Sequence, residues 1–279
     1  MMSTSSAWSV SRLSEINEGS FQSRPVSPVI SVKDVTLAYG SGRQSKEVLS
    51  GISLDIAEGD FVAVLGASGS GKTSLLRLLA GYERPTSGQV TILGESLPRP
   101  RPEVGVVFQQ SNLFPWLTIR RNAEFGLLMK GIGKAERRSI ASEAISGVGL
   151  GEYGSFLPYQ LSGGMKQRAA IARTLAASPR IILMDEPFGA LDAITREHLQ
   201  TLVKSLWQAQ KRTFFFITHD VDEALYLGTR IIVLNGSSGR IGIDRPNPFP
   251  QSHASVALLR QHAHYAAERQ LLLDALESD

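Results

Sequence analysis

The sequence predicts an α/β domain built on a mainly parallel sheet. Short, continuously apolar runs such as FVAVLG (61–66) recur along the chain, and such runs are typical of parallel strands buried on both faces. Segments with helical spacing separate them, which is the alternation expected of a parallel sheet. With 279 residues, 42% of them hydrophobic, the chain suffices for one large domain or two small ones with a real core.

Local periodicity and turn residues predict the individual elements. Alternating or continuous apolar runs predict strands at 29–38, 48–60, 61–66, 89–95, 104–109, 180–186, 212–220 and 229–236. Helical spacing predicts helices at 73–81, 165–178, 193–210 and, in the tail, 256–277. Residues 117–149 are also helical in pattern, and we interpret them as a helical insertion.

The composition narrows the class of protein. The 29 basic and 26 acidic residues give a net charge of +3, which is weak support for nucleic-acid binding. The sequence has no Cys, so disulfides and thiolate metal sites are excluded. Neither a membrane span nor a secretory signal is expected, because no long apolar stretch is present. Residues 1–28 contain nine serines and are predicted to be a flexible extension.

A phosphate-binding loop is predicted at residues 66–73, GASGSGKT, between a buried strand and a helix. Backbone amides of such a loop wrap the phosphates of a nucleotide. Lys72 can place its ammonium group on the β- and γ-phosphates, and the Thr73 hydroxyl can bind Mg²⁺. The candidate nucleotide-binding residues are Gly66, Ala67, Ser68, Gly69, Ser70, Gly71, Lys72 and Thr73.

Two acidic residues and a histidine follow other buried strands. Asp185 ends the strand IILMD and can hold Mg²⁺, if a parallel sheet brings it next to the loop. Glu186 is a candidate general base for the water that attacks the γ-phosphate, if the chain turns there so that both acids face the site. His219, at the end of TFFFITH, can hydrogen-bond the γ-phosphate and orient that water.

A second anion site is predicted at residues 161–168, LSGGMKQR. Ser162 stands at the N-cap position of a helix, and two glycines follow it. They leave backbone amides open at a helix N-terminus, which attracts anions. One chain thus carries two phosphate-binding segments about ninety residues apart.

Five motifs in a fixed order carry a resemblance to a known family. They are GASGSGKT, LSGGM, IILMDE, GALD and ITHD, and together they resemble the ATP-binding subunit of an ABC transporter over about residues 29–240. The resemblance implies a P-loop ATPase with an N-terminal antiparallel β subdomain and a helical subdomain at about 112–177. It implies an ATP-binding domain at 29–245 and a C-terminal helical tail at 246–279, where a surface helix is expected.

The resemblance also implies roles for single residues and a homodimer. Tyr39 is expected to stack on adenine, and Asp192 to lie in a loop that crosses between subunits. Gln109 is expected to join the Mg²⁺ site and to sense a membrane subunit; Gln110 is adjacent, but the frame VVFQ favours Gln109. In the head-to-tail dimer of this family, the γ-phosphate held by one subunit is capped by four residues of the other, which here are Ser162, Gly163, Gly164 and Met165.

Met165 is a departure from the commoner family pattern, which has Gln at this position. Met cannot donate a hydrogen bond, so the phosphate contacts are expected from Ser162 and the glycine amides. LSGGM, FPWLT and THDVDEAL together resemble the importer subfamily for nitrate, aliphatic sulfonates and taurine. Sulfonate or taurine is favoured over nitrate, and other small organic substrates stay open because the chain shows no substrate pocket of its own.

Membrane partners follow from the same resemblance. Residues 114–117, FPWL, form an apolar group that either packs inside the insertion or forms a docking groove for a helix of a membrane subunit. The expected assembly is a peripheral homodimer on the cytoplasmic face of the inner membrane, below two integral membrane permease subunits. An extracytoplasmic substrate-binding protein acts indirectly, and no nucleic acid is expected. His253, His262 and His264 show no metal-site spacing.

Two other classes compete with the transporter hypothesis. A soluble ABC-type ATPase acting on nucleic acid or ribosomes usually has two nucleotide domains, a long coiled coil or a zinc insertion. A small-molecule kinase with a P-loop would need an acceptor site and would not need the LSGGM motif. The sequence favours neither class.

Overall fold

The computed structural model describes residues 28–40, 45–210, 212–236, 239–249, 256–261 and 263–277. The predicted flexible extension lies outside the described residues except for Pro28. His253 and His262 also lie outside them.

A six-stranded sheet forms the centre of the domain. Its strand order is β10-β9-β3-β8-β7-β6, and all neighbours are parallel except β10, which runs antiparallel to β9. The prediction of a mainly parallel sheet is therefore confirmed. The strands are β3 (Phe61–Gly66), β6 (Val104–Val107), β7 (Ile181–Asp185), β8 (Thr213–Ile217), β9 (Arg230–Leu234) and β10 (Ile241–Pro246).

The central strand β3 shows why its sequence is apolar throughout. Phe61, Ala63 and Leu65 face one hydrophobic core, whereas Val62 and Val64 face another on the opposite side of the sheet. All five side chains are fully buried. Alternation between two cores leaves no position for a polar side chain, because successive residues of a strand point to opposite faces.

A second, four-stranded sheet packs beside the first and is antiparallel throughout. Its order is β2-β1-β4-β5, as expected of the N-terminal β subdomain. Side chains from this sheet, from the first helix and from one face of the parallel sheet share a single core. The strands are β1 (Ile30–Tyr39), β2 (Lys46–Ile56), β4 (Ser87–Ile92) and β5 (Glu95–Ser96).

Eight α-helices are present in the described residues. The helices are α1 (Lys72–Leu79), α2 (Ile119–Met129), α3 (Lys134–Gly147), α4 (Gly163–Ala176), α5 (Ala193–Gln210), α6 (Val221–Leu227), α7 (Val256–Leu259) and α8 (Ala263–Glu277). The predicted insertion consists of two helices, α2 and α3, joined by a short loop that contains Gly131 and Gly133. Both pack against α4, which begins at the glycines of the LSGG motif.

The C-terminal tail contains the expected surface helix, but α7 ends at Leu259 and α8 begins at Ala263, and α8 buries one face. Tyr265 and Leu272 of α8 are fully buried and belong to the larger hydrophobic core. The helix packs against α6 and β9, and the Tyr265 ring meets Phe249 edge-on, with 5.2 Å between centroids. Sequence periodicity predicted the helix but could not show which surface its apolar side covers.

No helix within the described parts of the chain is long and apolar enough to span a lipid bilayer.

Candidate nucleotide-binding and hydrolysis site

The phosphate loop follows β3 and requires glycine where neighbouring backbone comes close. Gly69 and Gly71 have φ values of 86° and 91°, a region that favours glycine. A Cβ atom on Gly71 would lie 2.7 Å from the carbonyl oxygen of Val48, and one on Gly66 would lie 2.7 Å from that of Leu234. The loop is therefore held tightly between β2 and β9, with α1 starting directly after it.

Lys72 is buried at the start of α1 and turns back over the loop. Its Nζ donates to the carbonyl oxygens of Gly66 and Ala67, both at 2.8 Å. Burial lowers the pKa of Lys72, although Glu186 and Asp185 oppose that shift. The hydroxyl of Ser70 is buried and has no hydrogen-bond partner among the described residues. A phosphate group would supply both the missing partner and the counter-charge.

Thr73 and Asp185 form the metal side of the candidate site. The Thr73 hydroxyl donates to Oδ2 of Asp185 at 3.0 Å. Burial raises the pKa of Asp185, and the bond from Thr73 opposes the shift without cancelling it. The charged carboxylate is therefore not fully stabilised by its neighbours. One hydroxyl and one carboxylate fit Mg²⁺, which usually takes few protein ligands and completes its shell with phosphate and water. The described residues contain no group of three or more acidic or histidine side chains that could hold a metal alone.

Glu186 joins two other predicted residues. Its Oε2 lies 3.3 Å from Nδ1 of His219 and accepts a hydrogen bond from Nε2 of Gln109, also at 3.3 Å. Glu186 has a φ of 44°, a left-handed conformation that costs a non-glycine residue about 1–2 kcal/mol. This turn brings the Glu186 side chain to the same side as Asp185, although the two residues are adjacent.

Tyr39 lies at the other end of the site, and the residue is 41% exposed. Its hydroxyl is within hydrogen-bond distance of Ser74 Oγ, at 3.3 Å, and donates to Glu83. Burial is the largest cause of the raised pKa of Tyr39, and the bond to Glu83 adds to it. Two side chains therefore hold the hydroxyl end while the residue stays partly exposed.

These groups surround one open cavity of about 580 Å³, a size typical of small-molecule sites. Gln109 lines the cavity and Gln110 is not among its lining residues. Asp185 is not a lining residue but bonds Thr73, which is one, and the buried Ser70 belongs to the phosphate loop. The lining residues are Tyr39, Val48, Gly66, Ser68, Gly69, Gly71, Lys72, Thr73, Ser74, Gln109, Glu186 and His219.

The LSGG and GALD segments are not part of this cavity. Ser162 is exposed and caps α4, because its Oγ accepts the backbone N–H of Met165 at 3.3 Å. Gly164 packs against the loop before Asp192, since a Cβ there would lie 3.3 Å from the Leu191 side chain. The side chain of Met165 packs on the core. Ser162, Gly163 and Asp192 are thus presented together on the surface of the protomer.

Asp192 also caps a helix. Its Oδ1 accepts the backbone N–H of Thr195 at 2.9 Å, and this bond is the main cause of its lowered pKa. The GALD loop is therefore fixed at the start of α5, with an ionised and exposed side chain.

The apolar group at residues 114–117 has a fixed backbone and an exposed side chain, Trp116. The Trp116 side chain is 73% exposed, so it does not pack inside the insertion. The buried amide of Asn122 bonds the backbone N–H of Phe114 and the carbonyl oxygens of Phe114 and Leu117. The Phe114 ring packs against Phe125 with 4.6 Å between the ring centroids and a tilt of 49° between the ring planes. A fixed backbone thus presents an exposed indole.

Sequence reasoning missed several residues that support the site. Glu83 and Ser74 hold the Tyr39 hydroxyl, but they carry no local pattern that links them to Tyr39. The buried amide of Gln167 donates to the Phe108 carbonyl oxygen at 3.0 Å, next to Gln109. Its position two residues after the LSGGM motif was the only available signal.

The fold and cavity define a nucleoside-triphosphate-binding protein of the P-loop class, and comparisons with known proteins define its family. Residues 49–189 match the ABC transporter family. The taurine import ATP-binding protein TauB of Sinorhizobium fredii is 46% identical over 223 residues, covering 79% of this chain and 84% of that protein. The nitrate import ATP-binding protein NrtD of Synechocystis sp. is 44% identical over 212 residues, covering 76% and 80%.

A solved structure agrees with these relatives. The dimeric ATP-binding cassette MJ0796, in a post-hydrolysis state bound to ADP and Pi, matches with a TM-score of 0.72 and 36% identity, over 78% of this chain and 98% of that chain. The chain therefore belongs to the ABC transporter family, and it is an ATP-binding subunit that hydrolyses ATP. The predicted family, fold and enzyme class are confirmed.

The geometry at Tyr39 predicts a separable effect on ATP affinity. Tyr39→Ala removes the ring and should raise the Kd for ATP about 5- to 150-fold, since base–aromatic stacking contributes roughly 1–3 kcal/mol. Calorimetric titration of the purified chain with ATP measures this change. Tyr39→Phe is the matched control, because it keeps the ring and removes only the hydroxyl. Unchanged affinity in the Ala variant would show that adenine binds elsewhere.

Proposed function

We propose that this chain is the ATP-hydrolysing subunit of an importer for a small organic or inorganic anion, with aliphatic sulfonate or taurine favoured and nitrate as the alternative. The observation that carries the hydrolysis part of the proposal is that Gln109 and His219 both contact one carboxylate oxygen of Glu186 beside the phosphate loop. Relatives named as taurine and nitrate import proteins support the transport class and the two cargoes.

ATP is bound in an extended pose in the proposed mechanism. Adenine stacks on the exposed face of Tyr39, and the loop amides surround the phosphates. Lys72 exchanges its two carbonyl acceptors for the β- and γ-phosphates, which relieves the burial of its charge. The ribose and the adenine edge stay near solvent in this pose, since Tyr39 is itself 41% exposed.

Glu186 acts as the general base on water in this mechanism. The water oxygen forms a bond to the γ-phosphorus while the bond to the oxygen shared with the β-phosphate breaks, and one water proton passes to Glu186. The products are ADP and inorganic phosphate. His219 orients the water and bonds the γ-phosphate. Its contact with Glu186 keeps the two side chains next to each other.

Thr73, Asp185 and Gln109 would hold Mg²⁺. If bound, the ion would supply positive charge that neutralises the phosphates and helps to position them. Its positive charge would also offset the burial of the Asp185 carboxylate, which nothing else beside it fully compensates.

A second subunit completes the site in the proposed cycle. Ser162 and Gly163 are exposed on the protomer surface at a helix N-terminus, with the half-buried Gly164 next to them and away from the protomer's own cavity, so the phosphate they suit is a partner's. Head-to-tail pairing of two chains makes two such composite sites. ATP closes the homodimer and hydrolysis opens it. The second anion site of the sequence therefore serves the neighbouring subunit.

The exposed Trp116 and its apolar neighbours form the proposed contact with the permease. The Arg173 side chain of α4 bonds the Asn112 carbonyl oxygen at 2.7 Å, so this surface is linked to the helix that begins at the LSGG motif. Two integral membrane subunits would sit above the homodimer at the cytoplasmic face of the inner membrane, with an extracytoplasmic binding protein delivering the anion. Cargo selectivity belongs to those subunits.

Glu186→Gln should lower ATP turnover about 10²- to 10⁴-fold, the range for loss of a general base, while ATP still binds. The variant should accumulate as an ATP-bound dimer, seen as a doubled mass in size-exclusion chromatography with light scattering. Glu197→Gln, an exposed acid on α5, is the matched control. Wild-type turnover by Glu186→Gln would remove the assignment of the base.

Ser162→Arg should leave the Kd for ATP nearly unchanged and abolish hydrolysis, because the bulky cation stands on the surface that meets the partner. Ser139→Arg introduces the same side chain at an exposed serine of α3 and should hydrolyse normally. Binding is measured by calorimetry and hydrolysis by phosphate release. A Ser162→Arg variant that turns over like wild type would be inconsistent with the composite site.

The transport class is tested by affinity purification of the tagged chain from detergent-solubilised membranes of its own host, with partners identified by mass spectrometry. A stoichiometric membrane protein with many helices is expected, and Trp116→Ala should reduce its recovery severalfold. Leu258→Ala, another exposed apolar change outside this surface, should not. Recovery of only ribosomal or DNA-bound partners would instead indicate a soluble ABC-type ATPase.

A further inference from the structure

The two residues on either side of His219 are bonded to the first turn of α6. The Thr218 hydroxyl donates to Oε2 of Glu223 at 2.6 Å and accepts the backbone N–H of Asp220 at 3.0 Å. Oδ1 of Asp220 caps the helix by accepting the backbone N–H groups of Asp222 at 2.8 Å and Glu223 at 3.3 Å. The backbone that presents His219 is therefore fixed relative to this turn.

The same turn is held from outside by the C-terminal segment. Arg260 donates to Oδ2 of Asp222 at 2.6 Å. Oδ1 of Asp222 accepts bonds from Nε of Arg269 and from the hydroxyl of Tyr265, both at 3.2 Å. The Asp222 side chain is only 11% exposed, so three donors from residues 260–269 supply most of what water would otherwise supply.

One of the three donors, Tyr265, comes from the buried face of α8, whereas Arg260 and Arg269 are partly exposed. Tyr265 is fully buried, and burial together with the Asp222 charge raises its pKa, so its hydroxyl stays protonated and donates at neutral pH. The pair of Arg245 and Glu268, at 3.0 Å, ties α8 to β10 independently. The C-terminal segment thus bonds α6 through three donors to Asp222 and bonds the sheet through a separate ion pair.

We propose that Asp222 is a positioning residue for ATP hydrolysis, through which the C-terminal segment fixes the first turn of α6 and thereby the approach of His219 to Glu186. The proposal rests on the roles given to His219 and Glu186 in the proposed function. The chain of contacts runs from Arg260, Tyr265 and Arg269 to Asp222, from the α6 turn to residues 218 and 220, and from His219 to Glu186. None of the three donors lines the nucleotide cavity.

Asp222→Asn tests the proposal in the full-length chain, because it keeps the side-chain shape and removes the charge. It should lower kcat about tenfold, as small misplacements of a catalytic group do, and leave the KM for ATP within about twofold, since the binding residues are untouched. Tyr265→Phe, which removes one donor and keeps the packed ring, should lower kcat by a smaller factor. Glu268→Gln is the matched control on α8 and should keep wild-type kcat.

A spectroscopic measurement separates positioning from general stabilisation. In ¹³C-histidine-labelled protein, the His219 imidazole signal, assigned with His219→Gln, should shift in Asp222→Asn and Tyr265→Phe and stay in place in Glu268→Gln. The proposal is overturned if Asp222→Asn keeps wild-type kcat, or if kcat falls while the His219 signal does not move. If Asp222→Asn does not fold, Tyr265→Phe decides by the same two criteria.

The roles on which the proposal rests are tested separately. Wild-type turnover by both Glu186→Gln and His219→Ala would remove the proposed hydrolysis mechanism itself. Loss of turnover in those two variants, with wild-type behaviour of Asp222→Asn and Tyr265→Phe, would remove only the positioning role of Asp222.

Discussion

The parallel register of four strands is the constraint on which the rest of the site depends. Because β3, β8, β7 and β6 run in one direction and pair in register, the segments that follow them emerge at one edge of the sheet. The phosphate loop follows β3, Glu186 follows β7, His219 follows β8 and Gln109 follows β6. Four segments that are distant along the chain are thereby placed within hydrogen-bond reach, and their apolar strands keep the arrangement rigid.

Burial at that edge leaves opposite charges incompletely compensated. Lys72 has a lowered pKa and Asp185 a raised one, and burial is the main cause of both. Each group is thus most stable in its ionised form when a ligand of opposite charge is close. A nucleotide with its cation satisfies the two at once, which accounts for the placement of a buried lysine and a buried carboxylate so near each other.

Local motifs predicted most of the site residues, because the function of each motif depends mainly on residues next to it in the sequence. A glycine-rich loop before a helix predicts anion binding, and a serine before GG predicts a helix N-cap, whatever the rest of the chain does. The orientation of Glu186 depends on a left-handed backbone at a residue that is not glycine, and no residue type signals that. The contact of Tyr39 with Glu83 spans 44 residues, and that of Asp222 with Arg269 spans 47. Long-range polar pairs of this kind leave no periodic trace.

The sequence by itself determined most strands and helices, the phosphate loop and the candidate acids, since apolar spacing and short motifs report on neighbours within one or two turns. It did not predict β10, and it joined β4 with β5 and α7 with α8. Only the tertiary structure decided which face the C-terminal helix buries, whether Trp116 is covered and how His219 is supported. Those features arise from packing between segments that are far apart in the chain. Burial of apolar area fixes how these segments pack, and the polar side chains then pair with whichever groups the packing brings close.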